Sequence, residues 1–349
     1  MARAQRVTLR DVADRLGLSA NTVSRALAGK DQVSEDTREL VRTEAARLGY
    51  VPNGHARSLV SGTTMVVGLV ITNPSNPFYA ALISAVERRC RAAGYSVLLL
   101  VTEDSADNEE RAVQQLLRFG VDGVLGIATE ARTGVWDRLT AAHIPVVQVS
   151  RDIAGSDLDF VGIDAERAIG DAVVRVAGGP VRRVWLFEED LAISTIAARI
   201  AGFRRALGEL GLDPGGALEL KVPTRRTRGA SLPWRPDDAY RLAANLITPD
   251  NHPDLLVTGS DYFALGVYRA LRERGLSVPG DVRVLGYGDH PFSAYLDPGL
   301  STIRLPADEL GTAGVDLLLR RIAEPDRPRS ETLLRAELVE RGSTGGHGP

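Results

Sequence analysis

The chain is poor in cysteine and lysine and has no long apolar run. Cys90 is the only cysteine, so an internal disulfide is excluded and a buried, unreactive thiol is the simplest interpretation. No apolar stretch approaches the roughly 20 residues that a membrane-spanning helix needs. The first residues are charged, unlike a secretory signal peptide. These absences predict a cytoplasmic protein that contacts no membrane.

The sequence also lacks the common signatures of catalysis. The five histidines are scattered, and none lies at metal-ligand spacing from another ligand type: His55, His143, His252, His290 and His347. There is no dinucleotide fingerprint, phosphate-binding P-loop or nucleophile elbow. We therefore predict no catalytic residue, no metal and no cofactor. Two alternatives remain open: an enzyme, and a binding protein without a DNA role.

Charge is distributed unevenly along the chain. The net charge is −3, but residues 1–62 carry ten Arg and Lys against seven Asp and Glu, which leaves −6 for the remainder. A small basic segment joined to an acidic body suits a protein that meets phosphate groups at one end only.

Residues 8–28, TLRDVADRLGLSANTVSRALA, predict two short helices joined by a tight turn. Leu9, Val12 and Leu16 recur at helical spacing, and Ser19 is placed to cap the second helix. Small and polar side chains then face outward: Ala20, Asn21, Ser24, Arg25 and Ala28. Such a face can enter a DNA major groove, where Asn and Arg read base edges. The alternative is an ordinary helical hairpin whose polar face meets water.

A third helix is predicted after Ser34 and ends near residue 48, which completes a compact three-helix head. Residues 53–60, NGHARSLV, are too few to hold a helix alone in water, and Gly54 weakens it further. This segment is either a plain linker or one that folds only on a surface.

From residue 65 onward, short β-rich runs alternate with amphipathic helices. This alternation predicts parallel sheets covered on both faces, and its repetition after residue 163 predicts two similar lobes. Ligands of such sheets lie at the carboxyl ends of the strands, which here places a site in the cleft between the lobes. Two weak strands are expected near Thr332 and Leu338, followed by a disordered tail at 342–349.

Several motifs make the chain resemble the lactose-repressor (LacI/GalR) family from residue 7 to about residue 341. They are VTLRDVADRLGLSANTVSRALAG, VSEDTRELVRTEAARLGYVPN, GLVITNPSNPFYAAL, GVDGVLGI, RIAGFRRAL, SDYFALGVYRAL and VPGDVRVLGYGD. The resemblance implies a small all-α helix-turn-helix head and an α/β two-lobed core like that of periplasmic binding proteins, with two parallel Rossmann-like sheets. It implies a homodimeric transcription regulator, and more specifically a repressor. Such a protein binds a pseudo-palindromic DNA operator and responds to a small-molecule effector.

The resemblance also assigns regions and DNA contacts. Residues 1–52 would be the DNA-binding head, 53–63 a hinge helix and 64–341 the effector-binding and dimerisation core. Its first lobe would comprise residues 64–162 and 292–325, and its second lobe 163–290 and 326–341. Ala20 and Asn21 would read bases, and Leu59 would wedge into the minor groove. The other implied DNA contacts are Thr8, Leu9, Ser19, Thr22, Ser24, Arg25, Ser34, Thr37, Asn53 and Ala56.

The implied effector contacts are Asn73, Phe78, Ser150, Arg151, Arg199, Ser260, Asp261 and Asp289. Sugar-binding members often have Asp where Ser150 stands, Asn where Ser260 stands and Asp where Gly288 stands. The segment 222–236, VPTRRTRGASLPWRP, adds Trp234 and four arginines where the family places cleft residues. Two interpretations stay open: a cleft for an anionic or aromatic effector, or an exposed basic loop beside a sugar-like effector.

Overall fold

A computed structural model describes residues 7–27, 32–50, 62–129, 133–178, 181–212, 214–223 and 235–346. Several predicted features lie outside these residues: Ala28, Asn53, Ala56, Leu59, Trp234 and the arginines at 225, 226 and 228. The chain divides into two compact units, Met1–Thr64 and Met65–Pro349. Each is described by itself.

The described part of the first unit contains three capped helices: α1 (Leu9–Leu16), α2 (Ala20–Leu27) and α3 (Glu35–Leu48). Thr8 caps α1 in a reciprocal box with Asp11, and Ser34 caps α3 through the backbone N–H of Thr37. Such caps satisfy N–H groups that have no partner within the helix. One apolar cluster joins the helices, and its buried members are Val12, Ala13, Val23, Ala26, Val41 and Ala45.

In the described residues of the second unit, twelve strands form two sheets. They are β1 (Val66–Ile71), β2 (Ser96–Val101), β3 (Gly123–Gly126), β4 (Val146–Val149), β5 (Asp159–Ile163), β6 (Val184–Glu189), β7 (Ala217–Val222), β8 (Leu255–Thr258), β9 (Arg283–Gly288), β10 (Ser301–Arg304), β11 (Glu331–Leu334) and β12 (Glu337–Val339). The first sheet has the order β11-β5-β4-β3-β1-β2 and the second β12-β10-β9-β8-β6-β7. All described pairings are parallel except β10 with β12.

Helices cover both faces of each sheet. They are α4 (Pro77–Ala92), α5 (Ala106–Phe119), α6 (Asp137–Ala141), α7 (Ala165–Ala177), α8 (Ser194–Glu209), α9 (Pro236–Leu246), α10 (Asp261–Glu273) and α11 (Ala307–Ala323). Apolar clusters lie on either side of each sheet, so the central strands are buried on both faces, whereas the edge strands are partly exposed. The predicted all-α head and two-lobed α/β core are confirmed.

The chain crosses between the two lobes three times, and this corrects the predicted lobe boundaries. The crossings follow β5, β10 and β11. Residues 301–304 pair with β9 in the second sheet, although 292–325 was predicted in the first lobe. Residues 331–334 pair with β5 in the first sheet, although 326–341 was predicted in the second lobe. Only these two strands depart from the assignment, because strand pairing is a long-range property that the resemblance did not resolve to single strands.

The tail prediction was wrong for residues 342–346. A short 3₁₀ helix spans Gly342–Thr344, and Ser343 is fully buried. The Ser343 hydroxyl donates to the carbonyl of Val284 over 2.6 Å and accepts from the backbone N–H of Ser301 over 2.8 Å. The glycine-rich composition suggested disorder, but these hydrogen bonds anchor the segment to β9 and β10.

Candidate DNA-reading helix and interlobe cleft

The turn between α1 and α2 presents one face of α2 to solvent. Gly17 takes a left-handed conformation (φ 66°), which ends α1. The Ser19 hydroxyl oxygen accepts the backbone N–H of Thr22 over 3.0 Å, so Ser19 caps the next helix as predicted. Val23 and Ala26 are buried beneath α2. The exposed face opposite them consists of Ala20, Asn21, Ser24 and Arg25, with Thr22 half-buried beside it.

The remaining predicted DNA contacts of the described head lie at helix starts. Thr8 and Ser34 are exposed N-cap residues, and Thr37 is half-buried with its hydroxyl 2.8 Å from that of Ser34. Hydrogen bonds from the Thr8 backbone and hydroxyl lower the pKa of Asp11. Leu9 is half-buried against the apolar cluster. Helix starts attract phosphate through free N–H groups and the helix dipole.

A cavity of about 80 Å³ lies between the two lobes of the second unit, large enough for several water-sized groups. The carboxyl ends of strands from both sheets supply it, together with the start of α4. Its walls comprise Asn76, Phe78, Tyr79, Ser150, Arg151, Ile163, Ala165, Glu189, Ile193, Thr195, Arg199, Gly259, Ser260, Tyr287, Gly288, His290 and Leu305.

Five of the predicted effector residues line this cavity: Phe78, Ser150, Arg151, Arg199 and Ser260. Sequence reasoning missed several others, notably Tyr79, Glu189, Tyr287 and His290. Two signals pointed to them: Tyr79 follows Phe78 directly, and the rest stand at or just after strand ends. Their individual contributions depend on side-chain directions that strand positions alone do not determine.

Three predicted effector residues are not in the cavity wall, and other groups already hold the carboxylates of two of them. Asp261 accepts hydrogen bonds from Ser293, Thr302 and the backbone of His290, all within 2.8 Å. Asp289 accepts from Arg304 and Arg341, each over 2.8 Å. Asn73 is 2% exposed, and its side-chain oxygen accepts the backbone N–H of Ser75.

The two cavity arginines are both paired with carboxylates. Arg151 donates to Asp104 over 2.5 Å and to the carbonyl of Ala128. Arg199 donates two hydrogen bonds to Glu188. The resemblance implied that Arg199 contacts the effector, but the Nε and Nη2 groups of Arg199 are bound to Glu188. Burial opposes the charged form, yet Glu188 keeps the pKa of Arg199 above its ordinary value.

His290 stands where a side chain at position 288 would lie. Gly288 has a φ of 132°, and a Cβ there would lie 3.1 Å from the His290 ring. The ring centroid is 5.0 Å from that of Tyr262 and 5.8 Å from that of Phe292. Burial lowers the pKa of His290, against the nearby carboxylates of Asp261 and Asp289. The imidazole is therefore a polar group of the cavity wall beside Gly288.

The basic segment 222–236 is described only at its ends. Val222 is buried in β7, and Pro223 is exposed. Arg235 is exposed, with its Nε 3.7 Å from a carboxylate oxygen of Asp238, and it does not line the cavity.

Among the described residues, no cluster of three or more His, Cys, Asp or Glu could hold a metal ion. None of the described helices combines the length and apolarity required to cross a membrane.

Comparison with known proteins identifies both units. Residues 8–53 match the description "Bacterial regulatory proteins, lacI family", and residues 181–344 match "Periplasmic binding protein-like domain". The ribose operon repressor of Escherichia coli K12 is 32% identical over 339 residues, covering 96% of this chain and 99% of the relative. The transcriptional repressor PurR of Glaesserella parasuis is 30% identical over 342 residues, covering 96% and 98%.

Solved structures share the fold over most of the chain. The lac repressor dimer bound to operator and the anti-inducer ONPF has a TM-score of 0.85 at 24% identity, covering 97% of this chain and 99% of that one. The complex of the regulator CelR with cellobiose has a TM-score of 0.69 at 26% identity, covering 97% and 100%. The chain belongs to the lacI family of bacterial regulatory proteins and is a DNA-binding regulator of transcription.

Proposed function

We propose that this chain is a cytoplasmic repressor that binds a pseudo-palindromic operator as a homodimer and is controlled by a small polar effector in the interlobe cleft. The observation that carries the DNA-binding part is the exposed face of α2. It combines small residues, which allow close approach to a groove, with Asn21 and Arg25, which can each pair with a base edge.

A dimer would double the small DNA-contacting surface that one α2 offers. A single α2 offers only five candidate base-reading side chains: Ala20, Asn21, Thr22, Ser24 and Arg25. Two copies related by two-fold symmetry read two half-sites about one helical turn apart, which requires an operator with matching symmetry. The relatives support this arrangement, since one of them is a lac repressor dimer on its operator.

The effector proposed for the cleft is a small, sugar-like molecule. Aromatic rings from Phe78 and Tyr79 can pack against an apolar ring face, while Ser150, Ser260 and Thr195 offer hydroxyl groups. Both cavity arginines are already paired with carboxylates, so the described wall gives a free anion little to bind. The relatives also favour this class, since they include a ribose operon repressor.

Residues 53–60 are proposed as the link between effector and DNA. In this scheme the segment folds as a hinge helix when two copies meet in the minor groove, and Leu59 unstacks a central base step. Effector binding in the cleft changes the spacing of the two segments, and thereby the operator affinity. Leu59→Ala should then weaken specific binding far more than non-specific binding.

Operator selection from fragmented genomic DNA tests the proposal. Full-length protein should enrich a palindromic site, and a chain lacking residues 1–62 should enrich nothing. The selected fragment then serves in a binding assay with neutral sugars, purine bases and organic acids, each also screened by thermal shift. A ligand that both stabilises the protein and changes operator affinity supports the scheme, whichever the direction. Full-length protein that prefers no fragment over random competitor DNA contradicts it.

We propose a regulatory role in preference to an enzymatic one. The relatives described above are repressors, and a binding protein without a DNA role has no use for α2 and its exposed polar face.

A further inference from the structure

Glu188 and Arg199 form a two-pronged ion pair at the edge of the cavity. Nε of Arg199 donates to Oε2 of Glu188 over 2.8 Å, and Nη2 donates to Oε1 over 2.7 Å. The two side chains are only 3% and 7% exposed. A guanidinium recognises the carboxylate of a ligand in this parallel geometry. Glu188 therefore supplies from within the protein the group that an anionic ligand would bring.

The neighbouring strand leaves room for this carboxylate. Phe187 of β6 pairs with Thr258 of β8, so the next residues along, Glu188 and Gly259, lie side by side. A Cβ at position 259 would stand 2.2 Å from Oε1 of Glu188. Any residue larger than glycine would displace the carboxylate from its position on Arg199. The position of the Glu188 carboxylate therefore requires a glycine at position 259.

The rest of Arg199 is also constrained. Its guanidinium carbon lies 4.7 Å from the ring centroid of Tyr287, and Oε1 of Glu189 lies 3.6 Å from Nη2. The two parallel donors Nε and Nη2 are thus already bound to Glu188, whereas a ligand carboxylate needs two parallel donors to be held firmly.

We propose that Glu188 is a specificity-determining residue that excludes anionic ligands from the cleft by occupying the fork of Arg199. The inference deepens the proposed function, because it rests on the cleft being an effector site. It assigns the selectivity to one carboxylate and to the glycine that makes room for it.

Chemical rescue tests this role in the full-length protein. Glu188→Ala opens a carboxylate-sized space in front of Arg199. We expect 50 mM acetate to raise the thermal midpoint of this variant by about 2–4 °C relative to chloride at equal ionic strength. Wild-type protein should show no difference between acetate and chloride. D-ribonate should likewise leave the wild-type midpoint unchanged, since Glu188 blocks its carboxylate.

Glu219→Ala is the matched control. Glu219 holds Arg204 with the same two-pronged geometry, both hydrogen bonds being 2.7 Å. That pair is at the surface, with Arg204 65% exposed, so water replaces the lost carboxylate and acetate should have no effect. If Glu188→Ala does not fold alone, refolding from urea in acetate or in chloride provides the same comparison. Recovery of folded protein in acetate only supports the proposal.

Two results would overturn it: a midpoint rise of wild-type protein with D-ribonate, or an equal response of Glu188→Ala to acetate and chloride. Operator binding by wild-type protein is measured in parallel. Acetate rescue without operator binding would support the role of Glu188 and contradict the proposed function. Operator binding without acetate rescue would support the proposed function and contradict the role of Glu188.

Discussion

The backbone N–H of His290 donates a hydrogen bond to Oδ2 of Asp261 over 2.8 Å. The bond ties the loop after β9 to the first residue of α10, and the Ser293 and Thr302 hydroxyls bind the same carboxylate. Asp261 is fully buried and pairs with no cation among the described residues. Its role is thus to position the segment that brings His290 to the cavity.

Asp261→Asn should destabilise the second unit by about 2–4 kcal/mol, because the amide cannot accept all three hydrogen bonds and its NH₂ faces hydroxyl donors. Urea unfolding of the full-length variant measures the loss. Asp171→Asn is the control, since that carboxylate is 56% exposed and binds only surface arginines. Equal effects of the two substitutions would show that the buried hydrogen bonds of Asp261 contribute no more to the free energy of unfolding than a surface ion pair does.

Stability should fall with acidification below pH 6.5 in a way that depends on His290. Burial lowers the pKa of this side chain below its ordinary value of 6.5, although Asp261 and Asp289 partly oppose the shift. The unfolded chain therefore takes up a proton at a higher pH than the folded one, so protons favour unfolding in this interval. His290→Gln should flatten the fall in the urea midpoint between pH 6.5 and about 5, a range set by the ordinary titration of histidine. Exposed His143→Gln should leave the profile as in wild type.

Arg25→Ala should reduce affinity for the selected operator by about 1–3 kcal/mol if the guanidinium reads a base. Arg42→Ala is a matched control on an exposed position of α3 that is not predicted to contact DNA. Titrations at several salt concentrations separate the two kinds of contact. Loss of a base contact leaves the salt slope unchanged, whereas loss of a phosphate contact lowers it by about one. Unchanged affinity would assign Arg25 to solvent.

Removal of residues 342–349 should lower the unfolding free energy by about 1–3 kcal/mol, because it deletes the buried Ser343 hydroxyl and leaves the Ser301 N–H without its partner. Removal of residues 347–349 alone, which keeps Ser343, is the control. Differential scanning calorimetry of the two truncated chains makes the comparison. If the longer truncation is also silent, the tail hydrogen bonds do not stabilise the protein.

Local patterns were enough to predict the architecture and the candidate DNA-reading helix. Apolar spacing and the caps at Thr8, Ser19 and Ser34 determine three helices, because these interactions join residues only three or four positions apart. The strand–helix alternation likewise determines the two sheets and places a cleft at their carboxyl ends. The resemblance to the lactose-repressor family, not the local pattern, implied that Phe78, Arg151 and Arg199 contact the effector, and these residues line the cavity.

Tertiary structure alone decided which polar groups remain available to bind a ligand in the cavity. Asp289 is held by arginines 15 and 52 residues further along the chain, and Asp261 by hydroxyls 32 and 41 residues away. No local pattern reveals such partners. The placement of β10 in the second sheet and of β11 in the first also depends on pairing between residues far apart in the chain. A sequence records which donors and acceptors exist, but a buried group binds those that folding brings within about 3 Å.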